Sequence, residues 1–172
     1  RQMCIRDSYL MLGSLVLLLG LIGLVMSVPE VARSLDWRVL SETLRANPMG
    51  ASQQTTVAAL LLVGFGTLVS LVPFHSWAPG GYASAPAPAA MLHAGVLKKF
   101  GLYGLLRLVL PMTPAGWKEI SWVVGLMLAG NILYLGLAAL QQRDFRWLLG
   151  FSSAMHMGTV FLGLIGGTVL GL

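Results

Sequence analysis

"MLHAGVLKKFGLYGLLRLVL", Met91 to Leu110, is an apolar run long enough to cross a bilayer, and it carries two adjacent lysines near its middle. A helix needs about 20 predominantly apolar residues to span the hydrocarbon. A lysine ammonium at the bilayer centre costs about 2.5 to 3.5 kcal/mol on insertion scales. At about 1.5 Å per residue, Lys98 and Lys99 lie about 15 Å from either interface, too deep for their stems to reach water. Neighbouring helical positions diverge by about 100 degrees, so one lysine can face a helix bundle while the other points elsewhere. Ionisable residues at such depth default to function. Out of water an amine loses part of its preference for the charged form, which lets it release and rebind a proton. The bland alternative is a fixed ion pair that only holds helices together.

The rest of the chain agrees with a membrane setting. Its 172 residues are 56% hydrophobic and 10% charged, with a mean hydropathy of +0.80, against about 45 to 50% apolar and 25% charged residues in globular domains. The net charge of +5 comes without a polybasic block or bases interleaved with aromatics, which argues against nucleic acid as a partner. The opening "RQMCIRDS" begins with Arg, and its Met3 to Asp7 core is similar to the translated transposon end ligated into shotgun libraries. The first eight residues are therefore set aside as a library scar, which implies a truncated reading frame. The only cysteine, Cys4, goes with them, so no disulfide question arises.

The expected fold is an all-α polytopic bundle with about five spans: Tyr9–Val28, Thr56–Trp77, Ala89–Leu110, Ile120–Leu140 and Trp147–Ile165. Pro73 should kink or break the second, because proline lacks an N–H and clashes with the carbonyl of Val69. Backbone groups freed in lipid persist only where protein or water covers them, so a break hints at a polar interior. Glu30 to Gln54 carries Glu30, Asp36 and Glu42 against Arg33, Arg38 and Arg45, with an apolar stripe near a 3.6 period. It reads as a short surface helix or, equally, a connecting loop. "APGGYASAPAP", Ala78 to Pro88, reads as a Pro/Gly-rich connection. Lysine and arginine are divided between the two sides, with Arg33, Arg38, Arg45 and Lys118 against Arg143 and Arg146, so charge alone assigns no orientation.

Singly, His93 and His156 read as hydrogen-bonded packing residues. With Lys99, Ser152, Ser153 and Asn131 they make up an inventory suited to a proton-conducting hydrogen-bonded chain. The three histidines have no i, i+3 or i, i+4 spacing and no nearby carboxylate, so no metal site is expected. A glycine-rich phosphate loop, a CxxC pair and a nucleophile elbow are all missing from the sequence, and covalent chemistry in this segment is not expected.

"PFHSWAPGGYASAPAPAAMLHAGVLKKFGLYGLLR" followed by "QQRDFRWLLGFSSAMHMGTVFLG" resembles the antiporter-like membrane subunits of respiratory complex I, the M type above all, over about Tyr9 to Leu172. The resemblance implies a fragment of a fourteen-helix fold that matches helices six to ten and straddles the junction of two inverted repeats. It implies proton translocation through buried Lys/His and water in a bacterial inner membrane, as a multi-pass subunit of a translocase. Other membrane-arm subunits and the lipid bilayer would be its partners. No cofactor would bind this chain, and NADH, FMN, iron–sulfur clusters and quinone would belong to other subunits.

The family lysine context "GxLLKxxxYGLLR" falls on Lys99, with Lys98 in a slot usually filled by Leu. "AMLHA" is similar to "ALIHA" of the L-type subunits and matches His93, and "SSAMHMG" matches His156. Pro73, His75 and Trp77 match the helix-break motif "PFHxW", and Asp144 with Arg146 match the charged turn "DLKR". One departure stands out: the lysine expected five residues before Pro73 is Leu68. Lys98 could replace that cation. The alternatives are a subunit of a multisubunit sodium/proton antiporter or of a membrane-bound hydrogenase, or a non-pumping structural paralogue, which Leu68 motivates.

Overall fold

The computed structural model describes residues 2–29 and 35–169, and among them every regular element is helical. In chain order these are α1 (Gln2–Met26), α2 (Trp37–Ala46), α3 (Ala51–Val69), α4 (Trp77–Ser84), α5 (residues 87–112), α6 (Pro114–Leu140) and α7 (Phe145–Val169). Both α5 and α6 are continuous but contain π turns, at His93–Leu97 and Leu105–Val109 in α5 and at Asn131–Leu135 in α6. Among the described residues three helices are long and apolar enough to cross a membrane by length and composition: Asp7–Met26, Ala51–Val69 and Pro114–Leu140. The two other expected spans are helical too, as α5 and α7.

Close packing joins α1 to α3. Leu24, Val57, Leu61, Phe65 and Val69 are buried in one cluster with Val109, Val124 and Leu128. Gly64 lets the backbones meet: a Cβ there would lie 2.6 Å from the Cβ of Leu17. In lipid, where apolar contact alone offers helices no advantage over the tails, such small-residue approaches drive association.

The second span breaks earlier than the position of Pro73 alone predicts. Helix α3 ends at Val69, and Ser70 turns into the left-handed region at φ 69°, its N–H donating back to Gly66 and Thr67 carbonyls. Pro73 has no N–H and holds Val72 away from helical geometry, so the chain stays irregular until α4 begins at Trp77. Two side chains take up freed backbone groups. The indole Nε1–H of Trp77 donates to the Thr67 carbonyl at 2.9 Å, and Asn131 Oδ1 accepts from the Val72 N–H at 2.6 Å.

Ala78 to Pro88 corrects the sequence reading, because Trp77–Ser84 is a helix and not a connection. Pro79 sits in its first turn, where an N–H has no intrahelical acceptor to lose. The glycines that follow lower helix propensity, but tight packing against α7 compensates. A Cβ on Gly150 would lie 2.7 Å from the Pro79 Cα, so α4 lies directly on α7.

The surface segment resolves to a helix, α2. Asp36 caps it by accepting from the Arg38 N–H at 2.9 Å, while Leu40 and Leu44 are buried and the Arg107 guanidinium stands 3.9 Å over the Trp37 ring. Glu30 and Arg33 lie outside the described residues.

Candidate functional site

The divergence of neighbouring helical positions decides the fate of the two lysines. Lys98 turns inward from α5 and is 1% exposed, the largest fully buried side chain among the described residues. Lys99 turns outward and is exposed, in a shallow groove of about 350 Å³ with Gly95, Val96, Phe100 and Tyr103. The residue placed on the family's relay slot is thus the outer one, and the unexpected lysine is the one inside.

Lys98 Nζ lies 3.4 Å from Ser153 Oγ on α7, a long hydrogen bond, and 4.9 Å from the centroid of the Tyr82 ring on α4. Tyr82 is itself buried, and its hydroxyl interacts with Ser153 without forming a hydrogen bond of good geometry. Among the described residues no carboxylate pairs with Lys98, whose contacts are this hydroxyl and this ring. A buried amine held by a weak acceptor and the negative face of an aromatic ring is restrained but not neutralised.

Beside this amine opens a cleft of about 540 Å³ whose polar wall is Tyr82, Ser152, Ser153, His156 and Arg146, with apolar α5 residues opposite. Two of its lining residues, Tyr82 and Ser153, are the contacts of Lys98. The cleft therefore connects the surroundings of the lysine to His156, which is exposed, and to Arg146 near the start of α7. Asp144 caps that helix, its Oδ1 accepting from the Arg146 N–H at 3.0 Å.

Not all of the expected inventory meets here. His93 packs its ring against Trp77, centroids 6.2 Å apart, beside a void of about 10 Å³ bounded by Trp77, Tyr82 and His93, room for about one water. It does not join Lys99. His75 stands edge-on to Tyr134 at 5.5 Å, and Pro73 is exposed within the break. Asn131 is fully buried, but both its polar atoms are spent on backbone. Tyr82 escaped the sequence reading because it lies in the stretch taken as a connection, and only recognition of α4 as a helix would have singled it out. Among the described residues, no three His, Cys, Asp or Glu side chains come together in a way that could hold a metal ion.

Comparison with known proteins follows the same lines. Residues 7–172 match the family model described as NADH:quinone oxidoreductase/Mrp antiporter, TM. The NADH-quinone oxidoreductase subunit M of Rickettsia prowazekii is 31% identical over 164 residues, 95% of this chain and 32% of that protein. The NAD(P)H-quinone oxidoreductase chain 4 1 of Thermosynechococcus vestitus is 35% identical over 131 residues, 76% of this chain and 25% of that one. A chain in the structure of respiratory complex I from Thermus thermophilus with bound NADH superimposes with a TM-score of 0.83 at 24% identity, covering 98% of this chain and 35% of its own length, a likeness of fold. The chain spans about a third of the length of the Rickettsia relative. With the matched residues running across the broken helix and the lysine-bearing helix alike, the chain belongs to the transmembrane family shared by NADH:quinone oxidoreductases and Mrp antiporters.

Proposed function

We propose that this chain is part of a proton-translocating membrane subunit of an NADH:quinone oxidoreductase, seated in a bacterial inner membrane among other membrane-arm subunits and lipid. NADH, FMN, iron–sulfur clusters and quinone are then held by other subunits, and this segment moves protons without redox chemistry of its own. The observation that carries the reading is Lys98: a fully buried amine without a carboxylate among the described residues, touching Ser153 and Tyr82 at the edge of a cleft that holds His156. The subunit M names of relatives that match nearly the whole chain support it.

Leu68 fits this reading. Gly101, one turn on from Lys98, packs against Val69 and Leu68, a built Cβ lying 3.5 Å from the Leu68 Cβ. Lys98 thus lies one turn before the residue of α5 that packs on the last turn of α3, which supports the reading that it stands in for the cation missing there. Lys98→Met in the full-length subunit, within its assembled complex, tests the reading by proton uptake into vesicles. A fall of about tenfold or more is expected, modest for the loss of a proton-transfer group. Unchanged uptake would reject it in favour of a structural, non-pumping role. The family description itself favours one second reading, an Mrp-type antiporter subunit, which sodium-dependent proton movement without NADH oxidation would select.

A further inference from the structure

Asn131 is 0% exposed and opens the π turn Asn131–Leu135 of α6. Its two polar atoms reach two different elements. Oδ1 accepts from the Val72 N–H in the break at 2.6 Å, and Nδ2 donates to the Ala154 carbonyl of α7 at 3.3 Å. Ala154 directly follows Ser153, the hydroxyl 3.4 Å from Lys98 Nζ. The same π turn lays Tyr134 against the His75 ring, so one turn of α6 grips the break at two points. A fully buried amide is costly unless every polar atom finds a partner, and here one partner lies in the break and the other next to the acceptor of the lysine.

We infer that Asn131 is a positioning residue that couples the broken helix to the Lys98 site: it clamps Val72 to the α7 backbone beside Ser153, so that a movement of the break displaces the acceptor of the lysine. The inference rests on the reading of Lys98 as the proton-carrying amine. Among the described residues, the titratable or charged groups around Lys98 include Lys99 and His93 on its own helix, Tyr82 from α4 and, across the cleft, His156 and Arg146 from α7. The α3 face against α5 presents Phe65, Leu68 and Val69, none of which titrates.

Asn131→Leu, with the same branching and the same number of side-chain heavy atoms, removes both bonds and is to be studied in the full-length subunit within its complex. Two readouts separate the clamp from its effect on the lysine. Amide exchange of the 70–76 segment should speed up by about tenfold, as for a local opening made easier. The midpoint of the pH profile of proton translocation should move by about half a unit or more, since the lysine loses its fixed acceptor, and the shift should vanish in a Lys98→Met background that retains residual uptake. Unchanged exchange overturns the clamp. Faster exchange with an unmoved pH profile overturns the positioning role. If Lys98→Met alone leaves translocation intact, the lysine reading fails, while the exchange measurement still judges the clamp. Should Asn131→Leu fail to assemble, Asn131→Asp keeps the oxygen for Val72 and loses the amide donated to Ala154. It should move the profile without speeding exchange at Val72, and an unmoved profile there overturns the inference equally.

Discussion

Helices α1 and α3 meet through close contacts of Gly64 with Leu17, Gly20 with Leu61 and Gly13 with Thr67. Beyond Ser70 the construction changes. There the chain is fixed by single hydrogen bonds from Trp77 and Asn131, and Lys98 is held in turn by Ser153 and the Tyr82 ring. The first region is made to stay still, since its contacts are many, short and interchangeable. The second depends on a few directed bonds, each of which can be lost singly. Stability and function are thus separated along one stretch of chain: α3 is packed through Val69, and the helix stops just beyond it.

Substitutions can break this division or sharpen it. On the packed side, Gly64→Leu drives a side chain into the Leu17 backbone and should cost about 3 kcal/mol, the upper range for overpacking. Thermal unfolding of the detergent-solubilised subunit measures this, and any complex that still assembles should translocate protons normally. A translocation defect without a stability loss would erase the distinction. Lys98→Met should do the reverse, leaving unfolding unchanged while uptake falls about tenfold, equivalent to about 1.4 kcal/mol of barrier. Trp77→Phe keeps the ring but removes the donor to the Thr67 carbonyl. It should cost about 1 kcal/mol, seen as faster amide exchange confined to the break, and exchange that spreads into α1 would mean the two regions are not separate. Smallest of all, Lys99→Met at the exposed position should change uptake by less than about twofold, within the range of surface substitutions. A loss equal to that of Lys98→Met would return the relay to Lys99.

Much of this was legible in the sequence. The spans follow from hydropathy, and the break follows from Pro73, because proline acts on its own backbone and requires no knowledge of neighbours. The need for the two lysines to part ways follows from helical geometry. What could not be read is which of them goes in. The 87–112 helix is apolar nearly all round, so it has no polar face to mark the outside. The choice is made by Ser153 and Tyr82, which are distant in sequence from the lysines or hidden in an unrecognised helix. The hydrogen-bonded inventory was read as one chain, but its members separate because each side chain follows its own helix face. Ser152, Ser153 and His156 share the cleft, His93 goes to Trp77, and Asn131 goes to backbone.

The π turn His93–Leu97 ends immediately before Lys98. Such a turn holds one residue more than the α turn it replaces, and one residue is worth about 100 degrees of rotation. Seen from the start of α5, Lys98 therefore faces Tyr82 by virtue of a single residue spent upstream. Taking up one further residue in a π turn upstream would bring Lys99 into the inward bearing and carry Lys98 away from it. Which amine stands inside is in this sense a setting of phase, and a helix bearing two lysines in a row is one that can change that setting without losing its charge.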